Sequence, residues 1–195
     1  VCRFRNRIIF PIFNYYNQYI GCGGRTVLDK VLAKYINSPE TEFFKKGFNL
    51  YNLNYAKKEC TNTENLILVE GYMDVVSLHN KGVKNVAATL GTAITISQIN
   101  LAWKNFDKII LCFDGDQSGL NASYRAAERV LKILKPGKDI YFTKIPNSQD
   151  PDDFINQFGY NGFISLISQS RDLTDIIFNY HAVNVNRSKA SEVAL

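Results

Sequence analysis

The sequence predicts an α/β fold with a mainly parallel sheet, and three observations carry that expectation. Leu66-Ile67-Leu68-Val69 and Ile109-Ile110-Leu111-Cys112-Phe113 are short, almost wholly apolar runs, and residues 139–145 repeat the design more loosely. Runs of this kind are strands covered on both faces. Segments of helical character separate them, so strand and helix alternate, as they do where helices pack on both sides of a parallel sheet. Each run also ends in acids: Glu70-Gly71, Asp114-Gly115-Asp116 and Asp150-Pro151-Asp152. The carboxyl ends of such strands are where open α/β sheets bind their ligands.

Taken in order, the chain opens with Arg3, Arg5 and Arg7 at period two, followed by Ile8-Ile9-Phe10-Pro11-Ile12-Phe13. As a strand, 3–13 would place the three arginines on one face. Asn14-Tyr15-Tyr16-Asn17 reads as a turn, and Tyr19 to Arg25 as the returning strand of a hairpin. Residues 26–60 read as loops and short elements in which bases and aromatics interleave, a mix suited to phosphates and stacked bases. The polar stretch 57–65 marks a boundary. Beyond it, strands are expected at 66–70, 84–89, 108–113 and 139–145, with helices near 72–81, 95–105 and 118–135. The last of these helices carries an apolar stripe, Leu120, Tyr124, Ala127, Leu131 and Leu134, stepping at helical spacing, and Pro136-Gly137 ends it. Further helices are expected near 152–158, 160–169 and 172–182, before a polar tail that should fray.

Composition narrows the classes. The chain has 195 residues, 46% hydrophobic, enough for a real core. No apolar run approaches the roughly 18 residues of a membrane span, so no membrane partner is expected. The first residues lack a signal-peptide pattern and read as an excised piece of a longer protein. Cys2, Cys22, Cys60 and Cys112 form no C-x-x-C pair, and His79 and His181 stand apart from them. Zinc is not expected, and reduced intracellular thiols are. Residues 1–60 hold 10 Lys+Arg against 4 Asp+Glu, and the remainder 13 against 14. A basic first third beside a near-neutral remainder suits a polyanion track next to an acidic site.

If the strands neighbour one another, Glu70, Asp74, Asp114, Asp116, Asp150 and Asp152 converge. Gly115 lets the chain turn so that two carboxylates aim at one region, and Asp74 lies about one helical turn beyond Glu70. Pro151 is expected to hold its acids out of helix. Crowded carboxylates resist full ionisation unless cations are present, and hard oxygen donors favour Mg²⁺ or Mn²⁺. Two such ions suit phosphoryl transfer, with Glu70, Asp114 and Asp116 as primary ligands or orienters. The other three would shape a second position.

Glu70-Gly71 after one strand and Asp114-Gly115-Asp116 after a later one resemble the Toprim domain of primases, topoisomerases and some nucleases. The wider pattern resembles the catalytic core of the bacterial replicative primase, the DnaG type. It comprises Arg3-Phe4-Arg5-Asn6-Arg7-Ile8-Ile9-Phe10-Pro11-Ile12, Gly21-Cys22-Gly23-Gly24-Arg25, Lys34-Tyr35-Ile36-Asn37-Ser38-Pro39-Glu40-Thr41, Lys46-Gly47, Val69 to Val76, Leu90-Gly91-Thr92 and Asp150-Pro151-Asp152. The resemblance implies a Toprim-type sheet flanked by helices (64–148), preceded by a small basic α+β subdomain (1–63) and followed by a short helical segment (149–195).

It further implies an enzyme that makes short RNA primers on single-stranded DNA template from ribonucleoside triphosphates, with two or more Mg²⁺ or Mn²⁺ ions at the six acids. Lys34, Asn37 and Lys46 fall in the family's nucleotide-phosphate region, and Arg3, Arg5, Arg7 and Arg25 on its nucleic-acid face. The replicative helicase would bind through a C-terminal domain outside this sequence, as the zinc-binding domain lies outside it at the other end. A bacterial, cytoplasmic, replisome-associated protein follows. Where the family usually has an aromatic, this chain has Cys22. The alternatives are a Toprim-type nuclease or topoisomerase fragment and a non-catalytic nucleic-acid-binding module.

Overall fold

A computed structural model of the chain describes residues 3–28, 33–60 and 65–192, with side chains as far as 182. The smaller of its two sheets is antiparallel, β1 (Arg7–Phe13), β2 (Tyr19–Thr26) and β3 (Tyr35–Asn37) in that order. The expected turn joins β1 to β2. The Asn14 side-chain oxygen accepts from the Tyr16 and Gln18 amides, and Asn17 adopts φ 64°, a conformation asparagine tolerates. The arginine alternation does not survive. Residues 3–6 form a turn with Asn6 at φ 54°, so the pleat begins only at Arg7, and Arg3, Arg5 and Arg7 share no strand face.

A 3₁₀ turn (Lys46–Phe48) and a helix, α1 (Leu53–Glu59), follow. The helix lies where only loops and short elements were expected. It buries Leu53 and Ala56 in the main core, but seven residues are too few to show a periodic stripe. The boundary expected over 57–65 falls partly on 61–64, outside the described residues.

The larger sheet then forms in alternation: β4 (Leu66–Val69), α2 (Tyr72–Asn80), β5 (Val86–Ala88), α3 (Ile96–Ala102), β6 (Lys108–Phe113), α4 (Gln117–Leu131), β7 (Asp139–Lys144), α5 (Pro151–Ser168), β8 (Arg171–Asp172) and α6 (Leu173–Glu192). Its strand order is β5-β4-β6-β7-β8, parallel except for β8. One face is covered by α1, α3, α4 and α6 through Leu53, Ile99, Ala127 and Leu173, the other by α2 and α5 through Val75, Leu78, Phe154 and Phe163. All four β4 residues are buried, as their unbroken apolar run requires.

Three expectations for the helices are corrected, those for the α4 stripe, for Pro151 and for the tail, while the division near residue 159 is met. In α4, Leu120 and Leu131 are exposed, as is Leu134 past its end, and the buried face is Gly119, Ser123, Ala126, Ala127 and Val130. Small residues let the helix lie close on the sheet, so its larger side chains project past the contact. Pro151 does not keep its neighbours out of helix. It is the first residue of α5, where its missing N–H costs nothing, and only Asp150 stays extended (φ −99°, ψ 171°). The two helices expected around residue 159 are the halves of α5, separated by Gly159 at φ 67°. At the end of the chain, α6 continues to Glu192 in place of a frayed tail; residues 193–195 are outside the described set.

The small sheet is fastened to the large one by Tyr72. Its ring stacks on Phe10 at 5.0 Å and meets Tyr51 edge-on at 4.8 Å. Its hydroxyl donates to Asn37 Oδ1 at 2.6 Å, and Asn37 Nδ2 donates to the Leu90 carbonyl at 3.0 Å. Gly23 leaves room for that ring, since a Cβ there would meet it at 2.5 Å.

Gly115 does the same for backbone. Its N–H donates to the Gln149 carbonyl at 2.9 Å, and a Cβ would stand 2.4 Å from the Ile145 oxygen and 2.8 Å from the Ser148 nitrogen. Gly115→Ala is therefore expected to lower unfolding free energy by about 2 kcal/mol, the range of an overpacked interior, as measured by urea denaturation. An unchanged midpoint would show that the 145–149 segment yields freely.

Candidate functional site

Parallel pairing delivers the acids to one edge. Leu68 pairs with Leu111, so Glu70 and Asp114 leave adjacent strands side by side. Ile145 donates to the Phe113 carbonyl at 3.0 Å and Gly115 to Gln149 at 2.9 Å, which brings Asp150 against Asp114. In chain order the sheet runs second, first, third, fourth, fifth, so β4 and β6 flank the point where the order reverses, the ligand-binding crevice of such sheets. A cleft of about 300 Å³ opens there, lined by Glu70, Thr89, Thr92, Ser118, Arg125 and Arg129 among others.

Four of the acids are held by local structure. Asp74 Oδ2 accepts from the Gly71 amide at 2.8 Å, Asp116 Oδ1 from Gly119 at 2.7 Å, and Asp150 Oδ1 from Asp153 at 2.7 Å. Each therefore caps a helix, α2, α4 or α5, where the helix dipole favours negative charge. Asp152 Oδ1 is fixed by Ser77 Oγ at 2.6 Å and Asn156 Nδ2 at 2.8 Å. Ser77 carried no signal in the sequence, because only the packing of α2 on α5 brings it to Asp152. The carboxylates of Glu70 and Asp114 make no hydrogen bond among the described residues.

The charges of the six feel one another. Burial pushes the Asp74 carboxyl up to about 7; the Gly71 amide opposes this, while Asp114, Asp150 and Asp152 add to it. Asp114 is raised to about 6 by burial, then by Asp150 and Asp116. Glu70 is raised by the same causes, desolvation first and then Asp114 and Asp116. Its side chain is largely exposed by area, yet neighbouring protein crowds its carboxyl; the crowding is what matters for charge. Beneath them the buried Cys112 thiol is raised by burial and by Asp74, Asp114 and Glu70.

Arg125 and Arg129 line the same cleft as Glu70, but among the described residues no basic side chain forms an ion pair with any of the six acids. Among the described residues the one ion pair is Lys138–Asp107, at the opposite end of the strands. Nor do any three His, Cys, Asp or Glu side chains among them close around one point as a finished metal cage. The donor chemistry nonetheless fits hard divalent ions, since it is carboxylate oxygen throughout, crowded and not ion-paired among the described residues.

The cationic residues read from the sequence lie on the small lobe, in different states of engagement. The Arg7 guanidinium donates to the Gly24, Ala33 and Lys34 carbonyls and so pins β2 to the segment before β3. Arg25 lies 5.9 Å over the Tyr35 ring. The Tyr35 hydroxyl is raised by burial, lowered by Arg25 and raised by Asp74, Asp152 and Asp150, so it feels the charge of both the basic strand and the acids. The sequence reading quoted Tyr35 but gave it no role. Asn37 spends both ends of its carboxamide on the bridge between lobes. The Lys34 and Lys46 ammonium groups make no hydrogen bond or ion pair among the described residues, and Arg3 and Arg5 are exposed.

An acid-ended parallel sheet with a basic antiparallel lobe clamped beside it is the arrangement of a Toprim-like domain with an accessory lobe. Residues 67–155 match the Toprim-like family, and residues 1–57 match the DNA primase catalytic core, N-terminal domain. A DNA primase of Clostridium acetobutylicum is 44% identical over 98% of this chain and 31% of its own length, and one of Legionella pneumophila is 44% identical over 95% and 32%. Among solved structures, a DNA primase domain from Pseudomonas aeruginosa superposes with a TM-score of 0.88 at 39% identity, covering 93% of this chain and 57% of that one. A DnaG primase catalytic domain bound to single-stranded DNA gives 0.86 at 37%, covering 91% and 57%. The chain belongs to the DnaG-type DNA primase family, as part of its catalytic core, and spans about a third of the length of the curated relatives it matches.

A pH dependence follows from the raised acids. Between the unfolded carboxylate value near 4 and the folded values of about 6 and about 7, the folded chain binds more protons than the unfolded one. Stability therefore falls as pH rises through that window and levels above it. In buffer free of divalent ions, the denaturation midpoint is expected to decline from pH 5 to pH 7. Asp74→Asn should flatten much of the decline, because the carboxamide oxygen still accepts from Gly71. A midpoint that rises over the same window would contradict this charge distribution.

Proposed function

We propose that the chain forms the metal-dependent nucleotidyl-transfer centre of a primase, joining ribonucleoside triphosphates into short RNA primers on a single-stranded DNA template. The observation that carries this reading is the gathering of six carboxylates, none of them ion-paired among the described residues, beside a lobe with unengaged cationic side chains. Magnesium or manganese held there would acidify the attacking hydroxyl and neutralise charge developing on the leaving pyrophosphate. Glu70 and Asp114, with unengaged carboxylates, are the primary ligands. Asp116 and Asp150 each offer the oxygen not used in capping a helix, Asp152 the oxygen not held by Ser77 and Asn156, and Asp74 supports them from the start of α2. Lys34 and Lys46 take the triphosphate, whose charge they match. Arg25, Arg3 and Arg5 take template phosphates, while Arg7 supports the lobe that carries them.

The relatives are DNA primases of bacteria, and the reading extends to a cytoplasmic protein at the replisome that contacts a replicative helicase. Among the described residues no helix is long and apolar enough to cross a membrane.

Primer synthesis on single-stranded template with ribonucleoside triphosphates and Mg²⁺ or Mn²⁺ tests the proposal. Glu70→Ala and Asp114→Ala, placed in the longer protein, are expected to lower the rate by about 10³-fold or more while leaving template affinity near that of the parent. Lys46→Ala should chiefly raise the KM for triphosphate. Undiminished synthesis by the Glu70→Ala/Asp114→Ala double variant would overturn the assignment. Metal-dependent strand cleavage without triphosphates, in place of synthesis, would move the chain to the nuclease class.

A further inference from the structure

The segment 41–49 is tightly held, yet it turns two phenylalanines outward. Thr41 and Phe44 exchange two hydrogen bonds, of 2.8 and 3.0 Å. The Lys46 amide donates to Glu40 Oε1 at 2.9 Å, and the Lys45 carbonyl accepts from the Phe48 amide and from Asn49 Nδ2. Thr95 Oγ1 donates to the Gly47 carbonyl at 2.6 Å, and Gln98, wholly buried, donates to the Lys46 and Asn49 carbonyls. Phe44 and Leu50 anchor the segment in the core. Phe43 and Phe48 are nevertheless 80% and 61% exposed. A segment with its backbone satisfied in this way cannot turn those rings inward without breaking its own bonds.

We propose that Phe43 and Phe48 form a stacking platform for the unpaired bases of single-stranded nucleic acid, with Lys45 meeting its phosphates. Bases stack on rigid aromatic faces without regard to sequence, and a cation beside the ring points to a polyanion in place of an apolar protein surface. Lys45 lies 6.0 Å from the Phe48 ring centre, so charge and ring are offered together. Of the acids on this segment, Glu40 turns one oxygen inward to Lys46, and Glu42 stands against an excess of bases in residues 1–60. The platform is also tied to the acids: Thr95 directly follows Thr92–Ile94, which line the cleft that Glu70 borders, and Gln98 lies in the first turn of the helix that Thr95 caps. The inference rests on the proposed function only in identifying the strand as template.

The test compares binding of oligothymidylate with binding of an abasic strand of equal length, by fluorescence anisotropy at fixed salt. Phe43→Ala/Phe48→Ala is expected to weaken oligothymidylate binding about tenfold or more and to leave abasic binding unchanged, with an unaltered melting temperature because both rings are exposed. Phe48→Trp is expected to retain affinity, with its emission quenched by oligothymidylate. The proposal is overturned if the double alanine variant binds oligothymidylate as the parent does, which would give the patch to a protein partner, or if it loses equally on both strands. Glu70→Ala serves as the separate arm: it should leave oligothymidylate binding intact, so failure of the platform and failure of the acidic centre are read independently.

Discussion

Mutual repulsion among carboxylates at the carboxyl ends of β4 and β6 is the constraint on which this structure turns. Six acids occupy one edge, and among the described residues none of them is ion-paired, a costly arrangement in partly buried surroundings. The fold offsets it locally by giving Asp74, Asp116 and Asp150 backbone amides at helix starts, where the dipole favours negative charge. Asp152 is held by side chains from α2 and α5. What is left unsatisfied is concentrated on Glu70 and Asp114, and this residual imbalance is what a divalent cation would relieve.

Several features unrelated at first sight serve that crowding. Gly115 lacks a side chain so that the 145–149 segment can lie against the end of β6 and present Asp150. Tyr72, two residues after Glu70, clamps the basic lobe through Asn37, and Asn37 in turn holds Leu90 beside the cleft. Arg129 donates to the Ile94 carbonyl at 2.7 Å and fixes the far wall. The site is therefore assembled from backbone contacts of high sequence separation, which positions its side chains before any ligand arrives.

The sheet was legible because four consecutive aliphatics in β4 and five apolar residues in β6 admit few other readings, and because the acids follow them directly. What escaped did so for physical reasons. The stripe of α4 misled because the helix approaches the sheet through Gly119, Ser123 and Ala126, so its leucines were mistaken for the contact face. Period two at Arg3, Arg5 and Arg7 is a strand signal only if the backbone is extended, and Asn6 at φ 54° is not. Pro151 was read through its effect on the preceding residue, whereas its own fixed φ opens α5. Ser77 and Tyr35 gain their relation to the acids from tertiary packing, which no local pattern records.

Anomalous diffraction from crystals of this chain soaked in Mn²⁺ tests the central claim most directly. The account predicts manganese peaks at the carboxyl ends of β4 and β6, within bonding distance of Glu70 and Asp114 oxygens. Peaks confined to other surfaces, or acid side chains turned apart into solvent with no ion between them, would contradict it.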